Sequence, residues 1–192
     1  MKPKLTWIGH ASLKIQTAQG AVVYVDPYAP GDYSQPADLI LLSHEHSDHN
    51  QWQLVTQASG CRIVRAKDVI NPDGSYNVLE ACGMKIEPVE AANKNHSPLT
   101  TSGYLLTFDG VTVYFASDTN RVAGMAALAA RAIDYAFFPI DGEYNMDARE
   151  ASECAAVVGA KHSTPIHWFS ADPGAFHAEN LLRMTPGETI AL

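Results

Sequence analysis

An apolar run that ends in a cluster of histidines and carboxylates strongly limits how this chain can fold. The run spans residues 39–42 (Leu-Ile-Leu-Leu), and residues 43–50 follow it with the sequence Ser-His-Glu-His-Ser-Asp-His-Asn. A short, continuously apolar run, preceded here by Pro36, is typical of a buried parallel strand. Because open α/β sheets bind ligands at the carboxyl ends of their strands, we expect a functional site at residues 43–50.

The spacing within this cluster suits metal coordination. In an extended segment, residues two apart point the same way, so His44 and His46 can face one metal ion. Asp48 and His49 are adjacent, and a turn after Ser47 would direct both towards a second ion. Neutral imidazole and carboxylate are the ligands that Zn²⁺ and similar divalent ions take. The alternative, a solvated loop with incidental histidines, gives no reason for this spacing after a buried strand.

Three polar residues later in the chain have a similar setting, because each follows an apolar run that is predicted to be a strand. They are His96, Asp118 and His167. A single histidine at a strand end is more often an ordinary loop residue than a ligand, so none of the three identifies a site by itself. If the strands lie side by side, all three side chains can reach the same rim as His44.

The composition is that of one domain, residues 1–192, with 46% apolar residues available for a core. The formal net charge is −8, and there is no cluster of Lys and Arg, which argues against a nucleic-acid-binding surface. A small-molecule substrate, including an anionic one, is compatible with this charge, because bound metal ions supply local positive charge. The sequence sets no oligomeric state.

We expect a soluble cytoplasmic protein. The N-terminus enters a strand pattern without the apolar region of a signal peptide, and no apolar segment is long enough to span a membrane. Cys61, Cys82 and Cys154 are odd in number and lack C-x-x-C spacing, so we expect buried free thiols in a reducing compartment, with a disulfide or a metal ligand as the alternatives.

The apolar pattern predicts that strands come first in each half of the chain and helices follow, which indicates two stacked sheets with helices outside. Strands are expected at residues 4–10, 12–17, 21–26, 39–42, 62–64, 77–79, 84–91, 104–108, 111–116, 134–140, 161–166 and 188–192. Asp109-Gly110 predicts a type I′ turn between two of them. Helices are expected at residues 50–58, 122–132 and 147–158, with a last one starting at Asp172-Pro173.

The motif H-x-H-x-D-H resembles the signature of the metallo-β-lactamase-fold superfamily, and the resemblance covers essentially the whole chain. The sequence is most similar to small stand-alone bacterial hydrolases, related in motif to ascorbate-phosphate lactonase and to the phospholipase D-like branch. The resemblance implies an α+β fold, a four-layer αββα sandwich, with the metal site on one edge between the sheets. Periodicity alone does not give that arrangement.

The resemblance also implies how the ligands are shared between two metal ions. The first ion is expected to be held by His44, His46 and His96, and the second by Asp48, His49 and His167. Asp118 would bridge them, because a carboxylate can bind two ions about 3.5–4 Å apart. Zn²⁺ is the expected metal, with Mn²⁺ and Fe²⁺ as alternatives.

Other residues near these motifs are candidates for catalysis or support. Asp48 would orient a metal-activated hydroxide and protonate the leaving group, and His10, in a Gly-His-Ala-Ser motif, would line or support the pocket. Asp26 is expected to support a ligating histidine, with a simple turn residue as the alternative. His162 and His177 are expected to be ordinary. The residues expected as pocket walls are Tyr28, Tyr144, Trp168 and Phe169.

The expected function is metal-dependent hydrolysis of an ester-type bond, a phosphodiester or a lactone, in a small molecule. One alternative is a di-iron oxidoreductase on the same fold; those proteins resemble H-x-E-x-D at the first motif, so His46 favours the hydrolase. Another is a metal-binding module without turnover. No Gly-x-Ser-x-Gly nucleophile motif is present. Asp141 stands where relatives more often carry a small residue, and it would shape the pocket or lie in a surface turn.

Overall fold

The computed structural model describes residues 1–192 and contains twelve strands, which form two six-stranded sheets. In chain order the strands are β1 (Lys4–Gly9), β2 (Ser12–Gln16), β3 (Val22–Val25), β4 (Ala37–Leu41), β5 (Gln57–Val64), β6 (Leu79–Ala81), β7 (Met84–Glu90), β8 (Ser102–Phe108), β9 (Val111–Phe115), β10 (Tyr135–Pro139), β11 (His162–Ile166) and β12 (Glu188–Ala191). The helices are α1 (Ala66–Val69), α2 (Met125–Leu128) and α3 (Ala148–Val158). No helix has the length and apolar character needed to cross a membrane.

Both sheets are mixed. The first has the order β12-β1-β2-β3-β4-β5, and the second has the order β11-β10-β9-β8-β7-β6. β4 is parallel to its neighbours β3 and β5, and β10 is parallel to β9 and β11, whereas the other neighbours are antiparallel. β4 is therefore the buried parallel strand that its apolar sequence predicts.

The main core lies between the two sheets, and the alternation of side chains along each strand builds it. In β1, for example, Leu5 and Trp7 are buried in this core, whereas Ile8 belongs to a separate cluster on the outer face. Phe115 of β9 and Phe137 of β10 enter the same core from the second sheet. This period of two is the reason that strands with moderate hydrophobicity can bury one face each.

The outer faces are covered unequally. α2 and α3 pack on the second sheet, where Tyr114 and Phe138 meet Ala151 and Cys154 of α3. The outer face of the first sheet is covered by loops and by a 3-10 turn at Trp52–Leu54. The fold is thus the expected α+β sandwich, but one of its four layers is reduced to irregular structure.

Two local predictions with strong signals are confirmed. Phe108 pairs with Val111, and both residues between them have positive φ angles, 50° at Asp109 and 80° at Gly110, as a type I′ turn requires. Asp147 caps α3 by accepting a hydrogen bond from the amide of Glu150, and Gly159 ends the helix in the left-handed conformation.

Three predicted helices are wrong or much shorter than expected. Residues 50–58 form only the Trp52–Leu54 turn, and residues 57–64 instead join the sheet as β5, because pairing with β4 satisfies their backbone groups. The helix predicted at residues 122–132 is reduced to α2 and a 3-10 turn at Ala129–Arg131. The helix predicted from Asp172 is only the 3-10 turn Pro173–Ala175.

The strand arrangement brings several loops to one edge of the sandwich. Residues 43–50 leave the end of β4, while Asp118 follows β9 and His167 follows β11. The buried hydroxyl of Tyr104 in β8 donates to the carbonyl of Leu42 at 2.9 Å, which ties the second sheet to the start of this cluster. The polar residues singled out in the sequence therefore share one location.

Candidate metal centre

The structure brings together all seven side chains that the sequence identifies as metal ligands, six of them in two groups and Asp118 between the groups. The ligand atoms of His44, His46 and His96 lie within 4.8 Å of one another. Those of Asp48, His49 and His167 also lie within 4.8 Å of one another, together with His10. Within the groups, Nε2 of His96 is 3.1 Å from Nδ1 of His46, and Nε2 of His49 is 3.3 Å from Nε2 of His167.

Asp118 lies between the two groups. Its Oδ1 is 3.3 Å from Nε2 of His49 and 3.3 Å from Nε2 of His167, while its Oδ2 is 3.5 Å from Nε2 of His96. One carboxylate oxygen thus faces each group, which is the arrangement that a bridging ligand needs. The carboxylate is almost fully buried, with 4% of its side chain exposed.

Several buried atoms of this cluster have no hydrogen-bond partner within the protein, and they fit a cation. They include Nε2 of His44 and Oδ1 of Asp118. Buried polar atoms of folded proteins are nearly always paired, so unpaired ones within a cluster of imidazoles and carboxylates fit metal ligation. Burial and the neighbouring His49 lower the pKa of His44 to about 2, which keeps its imidazole neutral and able to coordinate.

The charges in the cluster also favour a bound cation. Burial raises the pKa of Asp118, but the charges of His49 and His167 outweigh burial and hold that pKa well below its usual range. Burial lowers the pKa of His49, but the carboxylates of Asp118 and Asp26 outweigh it and raise that pKa well above its usual range. A proton on His49 thus does in part what a divalent ion would do for these carboxylates.

Asp26, at the end of β3, supports the cluster from behind, as expected. Its fully buried carboxylate accepts hydrogen bonds from the amide of Ser43 at 2.7 Å, from the hydroxyl of Ser43 and from Nδ1 of His49 at 2.8 Å. A carboxylate only accepts, so Nδ1 of His49 is the donor and its Nε2 is directed at the centre.

Two other histidines have a polar side chain close to Nδ1, contributed by residues whose role the sequence analysis missed. Nδ1 of His96 lies 2.8 Å from the side-chain oxygen of Asn93, three residues earlier in the chain. Nδ1 of His167 lies 3.1 Å from Oδ2 of Asp141. The spacing of Asn93 from His96 was a usable signal, whereas the contact between Asp141 and His167 depends on the tertiary structure.

Asp141 is a supporting residue and not part of a simple surface turn. Its Oδ1 accepts the backbone amides of Glu143, Tyr144 and Asn145 at 2.9, 2.7 and 3.2 Å, and its side chain is 1% exposed. Burial raises the pKa of Asp141, but the contact with His167 and the backbone donors outweigh burial and lower it to about 2. Asp141 is therefore a fixed negative charge behind His167.

Strained backbone is concentrated around this cluster. Four non-glycine residues at strand ends beside the site have φ angles between 43° and 60°, namely His10, Asp26, Ser117 and His167. Such left-handed conformations cost on the order of 1–3 kcal/mol each and persist where the surrounding structure imposes them. Here they turn side chains at the ends of β1, β3, β9 and β11 towards a common point.

His10 and Asp48 form a pair at the edge of the centre. Nε2 of His10 lies 3.2 Å from Oδ2 of Asp48, and the imidazole of His10 packs on that of His167 with ring centroids 3.8 Å apart. Burial lowers the pKa of His10 despite this contact. Burial raises the pKa of Asp48, but the hydrogen bond with His10 and the charge of His49 outweigh burial and hold it well below its usual range.

A cavity of about 540 Å³ opens onto the centre, and Asp48, Asp118, Tyr144 and Phe169 are among the residues that line it. Tyr144 and Phe169 thus form walls, as expected. Tyr28 packs on the ring of His10 at 5.2 Å, whereas Trp168 turns away to pack on Trp7. His162 and His177 are exposed and do not belong to either ligand group.

The family model and the relatives that match this chain agree on one family. Residues 4–167 match the model of a family described as the beta-lactamase superfamily domain. A metal-dependent hydrolase of Pyrococcus furiosus is 28% identical over 225 residues, which cover 98% of this chain and 99% of the relative. A metal-dependent hydrolase of Ligilactobacillus salivarius is 31% identical over 191 residues, which cover 88% and 87%.

Solved structures show the same fold. The crystal structure of a candidate metal-dependent hydrolase from Parabacteroides distasonis superimposes with a TM-score of 0.77 at 29% identity, covering 92% of this chain and 89% of the other. Igni18, a metallo hydrolase from the archaeon Ignicoccus hospitalis, superimposes with a TM-score of 0.78 at 22% identity and covers 100% of this chain and 99% of its own. At 22% identity, the similarity to Igni18 shows a shared fold and nothing more.

Proposed function

The chain belongs to the beta-lactamase superfamily and is a metal-dependent hydrolase, and we propose that it uses two divalent metal ions to cleave an ester-type bond in a small molecule. The bond is a phosphodiester or a lactone. The observation that carries this proposal is the position of Asp118, with one carboxylate oxygen towards each of two groups of histidines. A binding module without turnover has no need for a second group with a partly exposed carboxylate at its edge.

The proposed ligands follow the two groups. His44, His46 and His96 would hold one ion, while Asp48, His49 and His167 would hold the other, with Asp118 shared between them. The mixture of imidazole and carboxylate suits Zn²⁺, with Mn²⁺ and Fe²⁺ as the alternatives. Bound divalent ions would supply Lewis acidity and a hydrolytic nucleophile at neutral pH.

Asp48 is the proposed catalytic carboxylate. Its side chain is 28% exposed and faces the cavity, whereas the carboxylate of Asp118 is buried. We assign to Asp48 the orientation of the attacking water and the later transfer of a proton to the leaving group. His10, the second proposed catalytic residue, fixes the Asp48 carboxylate through the 3.2 Å contact and lines the edge of the centre.

The test combines metal content with turnover. Purified protein should contain two divalent ions per chain by elemental analysis, and it should cleave bis(4-nitrophenyl) phosphate or at least one simple lactone after reloading with Zn²⁺. Asp48→Asn should lower kcat about 100-fold or more, since positioned acid–base groups contribute roughly 10²–10⁴-fold. His177→Ala, which removes an exposed histidine outside both groups, is the matched control and should leave kcat unchanged.

Two results would contradict the proposal. One is full activity in both Asp48→Asn and His44→Ala. The other is an iron-loaded protein that consumes dioxygen in the presence of a reductant while no ester is cleaved, which would favour the oxidoreductase alternative.

A further inference from the structure

The exposed aromatic side chains of this protein are gathered around the metal centre. Tyr28, Tyr144 and Phe169 are 40%, 47% and 54% exposed, and they are the only aromatic residues among the large hydrophobic side chains that are exposed. The rings of Tyr144 and Phe169 lie 6.3 Å apart, and the ring of Phe169 packs edge-on against that of His167 at 4.9 Å. Exposed aromatic surface that is confined to one rim is typical of a binding site.

The position of Phe169 is imposed by its surroundings. Its φ angle is 43°, a conformation that bulky residues rarely adopt. Two residues earlier, the amide of His167 donates to the carbonyl of His10, and the intervening Trp168 packs edge-on against Trp7 with ring centroids 4.8 Å apart. The chain is thus fixed immediately before a strained residue whose ring then projects over the site.

Phe169 also lines two cavities, as does His167. One is the 540 Å³ cavity that opens onto the centre, and the other is a cavity of about 170 Å³, which Trp7, Trp168 and Pro186 also line. The size of the phenyl ring therefore affects how large a group fits beside the metal-facing histidines.

The charge of the main cavity is equally specific. No lysine or arginine lines it, and Asp48 and Asp118 are its charged residues besides the histidines. Metal ions would be the positive charge available there, so a substrate with charged groups beyond the reacting one would find no partner for them.

From these observations we propose that the substrate is an ester in which a flat apolar group, such as an aryl ring, flanks the reacting carbonyl or phosphorus, and that Phe169 and Tyr144 select it. The inference rests on the proposed hydrolase function and adds the substrate class. Aromatic contact and apolar burial against two rings would favour such a group over a methyl group roughly tenfold.

The test uses binding and turnover side by side. Calorimetry on the Zn²⁺-loaded protein should show phenylphosphonate binding about tenfold more tightly than methylphosphonate. Phe169→Ala should reduce this preference to about threefold or less, and Tyr144→Ala should reduce it by a similar amount and serves as a second, independent variant. Leu54→Ala removes an apolar side chain that is 51% exposed and does not line the cavity, so it should keep the full preference.

Turnover separates this inference from the proposed function. With bis(4-nitrophenyl) phosphate and methyl 4-nitrophenyl phosphate, the leaving group is the same and only the retained group differs, so the ratio of kcat/KM should again favour the aryl compound about tenfold. The inference would be overturned if both phosphate diesters were cleaved with equal kcat/KM, or if the two phosphonates bound equally or not at all. A preference that survives in both variants would also overturn it. A binding preference without any turnover would instead refute the proposed hydrolysis and support the aromatic recognition.

Discussion

Replacement of Asp26 by Asn tests how this metal centre is held in place. Asn has the same shape as Asp and tolerates the left-handed conformation, and this matters because φ is 43° at residue 26. The backbone and the packing should therefore survive, and the substitution removes only the charge and one acceptor. Asp26 is fully buried, so water cannot replace what is lost.

The cost follows from the three donors that converge on this carboxylate. If the Asn amide nitrogen takes the place of Oδ1, it meets the amide of Ser43, which has no other acceptor. If it takes the place of Oδ2, it meets Nδ1 of His49, which must then give up its proton and carry it on Nε2, the atom directed at the centre. The first orientation leaves two buried donors facing each other, at a cost of about 1–3 kcal/mol in the free energy of unfolding, and the second puts a proton on the nitrogen that would bind the metal ion.

Metal affinity should fall as well. Partners that orient ligating histidines contribute roughly 10–100-fold to metal affinity. Asp26→Asn should therefore raise the Kd of one of the two proposed ions by roughly 10–100-fold, measured by competition titration with a chromogenic chelator. Urea denaturation followed by circular dichroism measures the loss of stability. Asp109→Asn is the matched control, because Asp109 also has a left-handed φ, 50°, and accepts a backbone amide, but is exposed. An unfolding midpoint and metal affinity equal to those of the control would refute the reasoning.

Three further predictions concern other parts of the molecule. Asp141→Asn should weaken binding of one metal ion about 10–100-fold, measured by the same titration, because the fixed charge behind His167 is lost; unchanged affinity would mean that Asp141 only shapes its loop. Asp147→Ala should lower the free energy of unfolding by about 1 kcal/mol through loss of the α3 cap, with kcat unchanged, whereas Asp147→Ser should largely restore stability. Removal of metal with a chelator should lower the urea midpoint and Zn²⁺ should restore it, with a stabilisation of about 4 kcal/mol when the free ion is at 1,000 times its Kd; a midpoint that does not respond to metal would contradict a metal centre.

Elements with local signals were predictable. The apolar run of β4, the Asp109-Gly110 turn and the Asp147 cap each depend on residues within a few positions of one another, and the structure confirms all three. The helix predicted at residues 50–58 failed because its weak periodicity competes with the edge of β4, which offers backbone partners that the local sequence does not reveal.

The same distinction applies to the site. Residues 43–50 were enough to predict a metal-binding cluster, because these eight consecutive residues contain the ligand side chains and directly follow a predicted strand. The place of Asp118 between two groups of histidines, the support that Asp141 gives to His167, and the position of Phe169 over the cavity all join residues that are more than twenty positions apart. Such contacts depend on how the two sheets pack and on which strands end at the same edge, and the pairing energy that decides this lies in the whole core and in no single segment.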